Sequence, residues 1–197
     1  MSLRRLAQIG VGVLLLGMLA WVVTLGLERI AGVEPATEAP PVSGEAPPAP
    51  VARITATLFY GSPDGQALIP VRREVPLADG LMLQGRRILE AQLEAPPEPH
   101  LSVIPQGTVL RAFYVTDRGD AFVDLSPEAS LNHPGGSTME LLTVYAIVNA
   151  VVANLPSIQR VQLLVDGREA DTLAGHVDLR RPLQGDESLV RGEAESQ

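Results

Sequence analysis

Between residues 137 and 165 the spacing of apolar positions changes from three and four to two, and the rest of the chain is organised around that change. From Met139 the residues Leu142, Tyr145, Ile147, Val148, Val151, Val152 and Leu155 recur at helical spacing until Pro156 stops the pattern. Gly135 and Gly136 allow a tight turn ahead of it, and Ser137 stands three residues before Glu140, the spacing of a capping box. Beyond Pro156, Val161, Leu163 and Val165 alternate with Arg160, Gln162 and Leu164 as far as Asp166 and Gly167, a strand closed by a turn. The helix has little polar surface. Its polar stripe of Glu140, Thr143 and Asn154 is interrupted by Ile147 and Ala150. Two arrangements fit: the helix lies deep in a small domain, or a face carrying Ile147, Thr143, Glu140 and Asn154 is covered by a partner protein or a second copy.

The same reading orders the chain before the helix. Ile54, Ala56, Leu58 and Tyr60 alternate with Arg53, Thr55 and Thr57, which predicts a half-buried strand, and Gly61 to Gly65 supply a turn into a second strand over 67–75. Pro70 places that second strand at an edge. Asp79 is placed to cap a helix that runs to about Glu94, with Leu81, Ile88, Leu89 and Leu93 inward and Arg86, Arg87, Glu90 and Glu94 outward. Gly85 weakens it, by about 1 kcal/mol against alanine. Residues 109–116 and 121–125 then form a hairpin around Asp117 to Asp120. The order is ββαββαβ, which predicts an α+β two-layer sandwich of one mixed sheet against two helices. The domain spans 53–183, with 172–182 as a short extension of the sheet and 184–197 as a solvated acidic tail.

At the N-terminus the pattern is of another kind. Arg4 and Arg5 precede an uncharged stretch from Leu6 to Leu27, long enough for a bilayer, and Trp21 suits an interfacial position. This predicts a transmembrane anchor within 1–30, with the N-terminus cytoplasmic and the domain outside, in the periplasm of a cell with an inner membrane. The alternative is a cleaved signal peptide, against which stand the length of the apolar core and the lack of a clear small-residue cleavage site. Residues 31–52, rich in Pro, Ala and Glu, read as a semi-rigid spacer.

Composition changes the picture mainly by exclusion. A formal net charge of -8 does not suit a nucleic-acid binder. The absence of cysteine removes disulfides, thiolate metal sites, thiol nucleophiles and an acylated cysteine together. His100, His133 and His176 lack the paired spacing of metal ligands. Asp124 and Asp166 form a candidate acid/base pair, though each also suits a turn. Arg118, Gly119 and Asp120 spell an integrin-type tripeptide where a hairpin needs turn residues. The sequence therefore predicts no catalytic residue, metal or cofactor.

Taken together, LFYGSPDGQALIPVRREVPL, IPQGT with FVDLSPE, and GGSTMELLTVYAIVNAVVANLPSIQRVQLLVDGRE followed by GHVDLRRPL resemble the GerMN domain of bacterial sporulation and germination proteins. The matching positions include Ile104, Pro105, Gly107, Thr108, Val123, Asp124, Leu125, Ser126, Gly136, Glu140, Val165, Asp166 and Gly167. The resemblance implies a fold like that of the ring-building modules of envelope assemblies, placed outside the cytoplasmic membrane, and no settled catalytic residues. It implies a protein-interaction module in a cell-envelope process. The alternative is a domain that binds a ligand or peptidoglycan, with hydrolytic activity as a further step.

Overall fold

The computed structural model describes residues 52–192. Strands β1 (Arg53–Gly61) and β2 (Leu68–Pro76) pair antiparallel over their full length. Their connection is held by Ser62 and Asp64, whose side chains accept the backbone N–H groups of Gln66 and Ala67. Then follow α1 (Leu81–Leu93), β3 (Leu110–Val115), β4 (Asp120–Leu125), a short α2 (Glu128–Leu131), α3 (Ser137–Asn154), β5 (Arg160–Val165) and a two-residue β6 (Arg168–Glu169). The class is α+β. Strands β3 to β6 form a mixed sheet in chain order, with β4 and β5 parallel and the other pairs antiparallel. Helix α3 makes the crossover that parallel neighbours require.

The first hairpin does not join that sheet; it forms a two-stranded sheet of its own. The reason lies in the outer edge of β1, whose backbone groups point away from β2 at every second residue. Asn154 of α3 takes both groups of Thr57, accepting its N–H at 2.8 Å and donating to its C=O at 2.7 Å. Gln92 of α1 does the same for Phe59, at 2.8 and 2.7 Å. Gly61 then exchanges two bonds of 2.8 Å with Leu101. Two helices thus supply the hydrogen bonds that a neighbouring strand would, and a buried strand edge requires them.

Helix α3 is interior over its middle turns. From Leu142 to Val151 every residue except Tyr145 is buried, and the helix packs against β1, α1 and β5. Its length and apolarity would suit a bilayer span, yet more than half of it is buried within this domain. Ile147 is 0% exposed, and Glu140 and Thr143 are buried with it. The surface drawn from the sequence through these residues is core, and Asn154, half-buried, is committed to β1.

Helix α1 also departs from expectation. Ile88 and Leu89 face inward, but Leu81 is exposed, and the residue before the helix is Gly80 with no side-chain cap. Gly85 is a packing requirement. A Cβ there would overlap the Phe113 ring of β3 and come within 3.0 Å of Leu155. The C-terminal segment is ordered further than a solvated tail would be. Leu183 exchanges bonds of 2.7 and 2.8 Å with Val161, and Asp186 exchanges bonds of 2.9 and 3.0 Å with the Asn149 side chain. The Arg191 N–H then reaches the Leu68 carbonyl at 2.8 Å. The sheet is extended by β6 and Leu183 rather than by 172–182. The predicted anchor, nearly all of the spacer and residues 193–197 lie outside the described residues.

Two stability outcomes follow. Gly85→Ala lowers stability by about 1–3 kcal/mol despite the better helix propensity of alanine, and Phe113→Leu in the same chain recovers part of that loss in urea denaturation. Ile147→Glu places an unpaired charge in the core and lowers stability by about 3–5 kcal/mol, read as loss of the cooperative unfolding transition rather than a change in association state.

Candidate functional site

Glu140 does not close a capping box. Gly136 is the residue before the helix, Ser137 already lies in its first turn, and no side chain caps it. The buried Glu140 carboxylate instead reaches across to the loop after β6. Its Oε1 accepts the N–H groups of Leu173 and Ala174 at 2.9 Å each, and its Oε2 accepts that of His176 at 2.8 Å. The His176 Nδ1 lies 3.1 Å from the same oxygen. Burial pushes the carboxyl pKa up, but the N–H groups of Ala174, His176 and Val177 and the His176 ring outweigh it, so the pKa lies below the usual carboxylate range. The group stays charged.

His133 stands on the other side of this cluster. Its Nδ1 accepts the Gly135 N–H at 3.0 Å, which makes Nε2 the protonated nitrogen, and Nε2 lies 3.2 Å from Thr143 Oγ1. Thr143 in turn donates to the carbonyl of Val103 or Met139. Burial holds the His133 pKa down; the Glu140 charge opposes this and His176 adds to it.

The remaining candidates lie elsewhere. The β3 register shifts between Leu110 and Ala112, and Arg111 at that bulge reaches Asp124 at 3.2 Å and Asp166 at 2.6 Å. Asp124 also accepts the Gly167 N–H at 2.7 Å, which fixes the turn where Asp166 has a φ of 54°. His100 stacks on Tyr60 with ring centres 6.5 Å apart. The histidines and carboxylates therefore fall into three groups. Glu140 and Asp124 each have both oxygens engaged by donors of their own chain, so their arrangement is that of clamps. No group of three histidines or carboxylates is placed to hold a metal ion among the described residues. The positions shared with the GerMN pattern have the same character: Thr108 bonds the Pro105 carbonyl at 2.7 Å, and Ser126 accepts the Val109 N–H at 3.0 Å.

Two features of the described surface bear on binding. A cleft of about 820 Å³ lies between the hairpin, the C-terminal half of α3 and the segment 184–190. Phe59, Pro70, Val152, Ile158 and Val190 give it an apolar lining, and Asn149, Gln159, Gln184 and Glu187 a polar one. Sequence reasoning missed it because one wall is the segment read as a tail. The second feature is a group of exposed apolar side chains: Leu77 at 50%, Leu81 at 37%, Met82 at 55% and Leu83 at 49%. Three of them are consecutive, a pattern that a purely amphipathic helix does not produce.

The Glu140 cluster sets a pH response. The folded-state pKa of Glu140 is depressed, so its contribution is complete above the unfolded value of about 4.3 and is lost as pH falls through the folded value. His133 is also depressed, so the folded state resists its protonation and stability declines as pH falls below about 6.5. Both act in one direction. Urea midpoints therefore fall between pH 7 and pH 4, and Glu140→Gln, which turns an NH2 donor toward N–H donors, costs about 2–3 kcal/mol at pH 7 and flattens the acid limb of the profile.

Comparison with known structures agrees with this architecture. The first GerMN domain of the Bacillus subtilis sporulation protein GerM is 19% identical, with a TM-score of 0.50 over 68% of this chain and 96% of that one. The tandem GerMN domains of the same protein give 17% identity and a TM-score of 0.54, covering 68% of this chain and 46% of theirs. A Clostridium perfringens protein described as a candidate lipoprotein is 26% identical over 69% of this chain and 90% of its own, with a TM-score of 0.49. Among curated proteins no match is found. The sequence model described as Germane, sporulation and spore germination, matches residues 57–171, more than half of the chain, and the protein belongs to that family.

Proposed function

We propose that this protein is a membrane-anchored, extracytoplasmic member of the family whose domain acts by binding another protein in a cell-envelope assembly, without catalysis of its own. The anchor is the apolar stretch from Leu6 to Leu27. The observation that supports the binding role is the cleft beside the hairpin: apolar within, amide-lined, and open along a wall formed by an ordered C-terminal segment. Such a site suits a peptide segment that buries apolar side chains and bonds to side-chain amides. The titratable clusters support the non-catalytic part, because their donors and acceptors are consumed in holding loops.

A photo-reactive residue at Ala153, exposed on the cleft wall, tests this reading in intact cell envelopes against a control at Arg118 in the β3–β4 turn. The expected result is a discrete protein adduct at 153 and none at 118, with Ala153→Trp lowering the adduct formed from a probe at Gln159 by about tenfold. If the probe at 153 gives no protein adduct while the chain cosediments with purified peptidoglycan and Ala153→Trp abolishes it, the wall itself is the ligand. Release of muropeptides by the purified chain would overturn the non-catalytic reading.

A further inference from the structure

The residues between β2 and the second turn of α1 read PLADGLML, and their apolar side chains are turned outward. Leu81, Met82 and Leu83 follow one another at about 100° intervals around the helix, so no single buried face can hold all three. The first turn of α1 stands clear of the core. The loop that leads into it is nevertheless held firmly. Gln84, buried beneath it, accepts the Ala78 N–H at 2.8 Å and lies 3.4 Å from the Pro76 carbonyl, and the Leu77 N–H donates to the Ala52 carbonyl at 2.8 Å. The molecule thus fixes four apolar side chains in an outward position, where runs of exposed apolar residues are ordinarily avoided.

The bond between Leu77 and Ala52 also gives the patch its place. Ala52 directly precedes β1, so these side chains lie beside the start of the domain, and the uncharged stretch from Leu6 to Leu27 comes before it in the sequence. We propose that Leu77, Leu81, Met82 and Leu83 form a wedge that docks on the outer surface of the bilayer holding the anchor. This rests on the anchor assigned above. Asp79 is the acidic residue within the wedge, Arg86 and Arg87 lie one turn beyond it and are paired with Glu90 at 2.9 and 3.1 Å, and Arg53 pairs in register with Pro76. Four apolar side chains at a helix N-terminus match the shallow insertion of interfacial segments, about 5–10 Å into the headgroup boundary. A weak site suffices, because the tether keeps the surface at high effective concentration. The composition of the spacer, residues 31–52, suits an extended chain of about 3.1 Å per residue, which is long enough for the domain to lie against the bilayer or to leave it. Docking through the wedge would then fix which way the cleft faces.

The absence of native cysteine makes the test direct. The full chain is reconstituted in vesicles of phosphatidylethanolamine and phosphatidylglycerol as three single-cysteine variants, Met82→Cys, Leu131→Cys and Leu16→Cys, each carrying an environment-sensitive fluorophore. Leu131 is a matched control, exposed and apolar but outside the wedge. The expected result is quenching by spin-labelled lipid at 16 and 82, with the label at 82 quenched about threefold more than that at 131, and Leu83→Glu returning 82 to the control value. If 16 is quenched and 82 matches 131, the docking proposal fails while the anchor stands. If 16 is not quenched, the anchor reading fails and the proposal with it. If 82 is shielded from aqueous iodide but not quenched by lipid, the wedge lies against protein, and the proposal is overturned in favour of a protein partner.

Discussion

The exposed backbone of a strand buried against helices is the constraint on which the rest of this fold depends. Strand β1 has β2 on one side and no strand on the other, so its outward N–H and C=O groups need partners within the domain. They find them in Asn154, Gln92 and the Leu101 backbone. An unmet buried backbone group costs about 1–3 kcal/mol, and each primary amide here answers two such groups at once. The hairpin can therefore sit on the helices as a separate sheet. Without those amides the edge would have to seek a strand, either in the main sheet or in another molecule.

The same device recurs in several of the described loops. Glu140 fixes the loop after β6, Asp124 and Arg111 fix the Asp166–Gly167 turn, Gln84 fixes the entry to α1, and Asn149 fixes the C-terminal segment. In each case a side chain reaches backbone groups more distant in sequence than a local cap or turn would, and in most of them it is buried. A charged or amide group in such a position is costly if left unpaired and directional when paired, so it selects one loop geometry out of many. The core residues around these clamps supply burial energy and specify little of where the loops go.

This division explains what could be read from the sequence. Apolar spacing carries the strands and helices, and their boundaries were found within a few residues because Pro156, Gly61 and Asp166 with Gly167 mark them. The clamps were not legible. A Gln, Asn or Glu on a helix reads as solvent-facing by pattern, and nothing local tells Gln92 from an exposed glutamine when its partner is Phe59, far away in the chain. Glu140 was misread for the same reason: its spacing from Ser137 fits a cap, while its true partners begin at Leu173. Ile147 fits either a core or a partner-covered face by sequence because polar residues flank it, and those neighbours are clamps within the domain. Leu81 continues an apolar spacing that predicts an inward side chain, and such spacing cannot register that a helix turn projects beyond its core.

Polarity and burial are thus exchanged at particular places, and the exchanges are connected. Polar side chains turned inward hold the segments that border the two open features: Gln84 positions the loop carrying Leu77, and Asn149 positions the wall of the cleft through Asp186. A surface that must recognise something benefits from being fixed beforehand, since ordering a loop on binding subtracts from affinity. The same kind of clamp that closes the hairpin onto two helices, through Asn154 and Gln92, thus also keeps the open surfaces in a fixed shape, through Gln84 and Asn149.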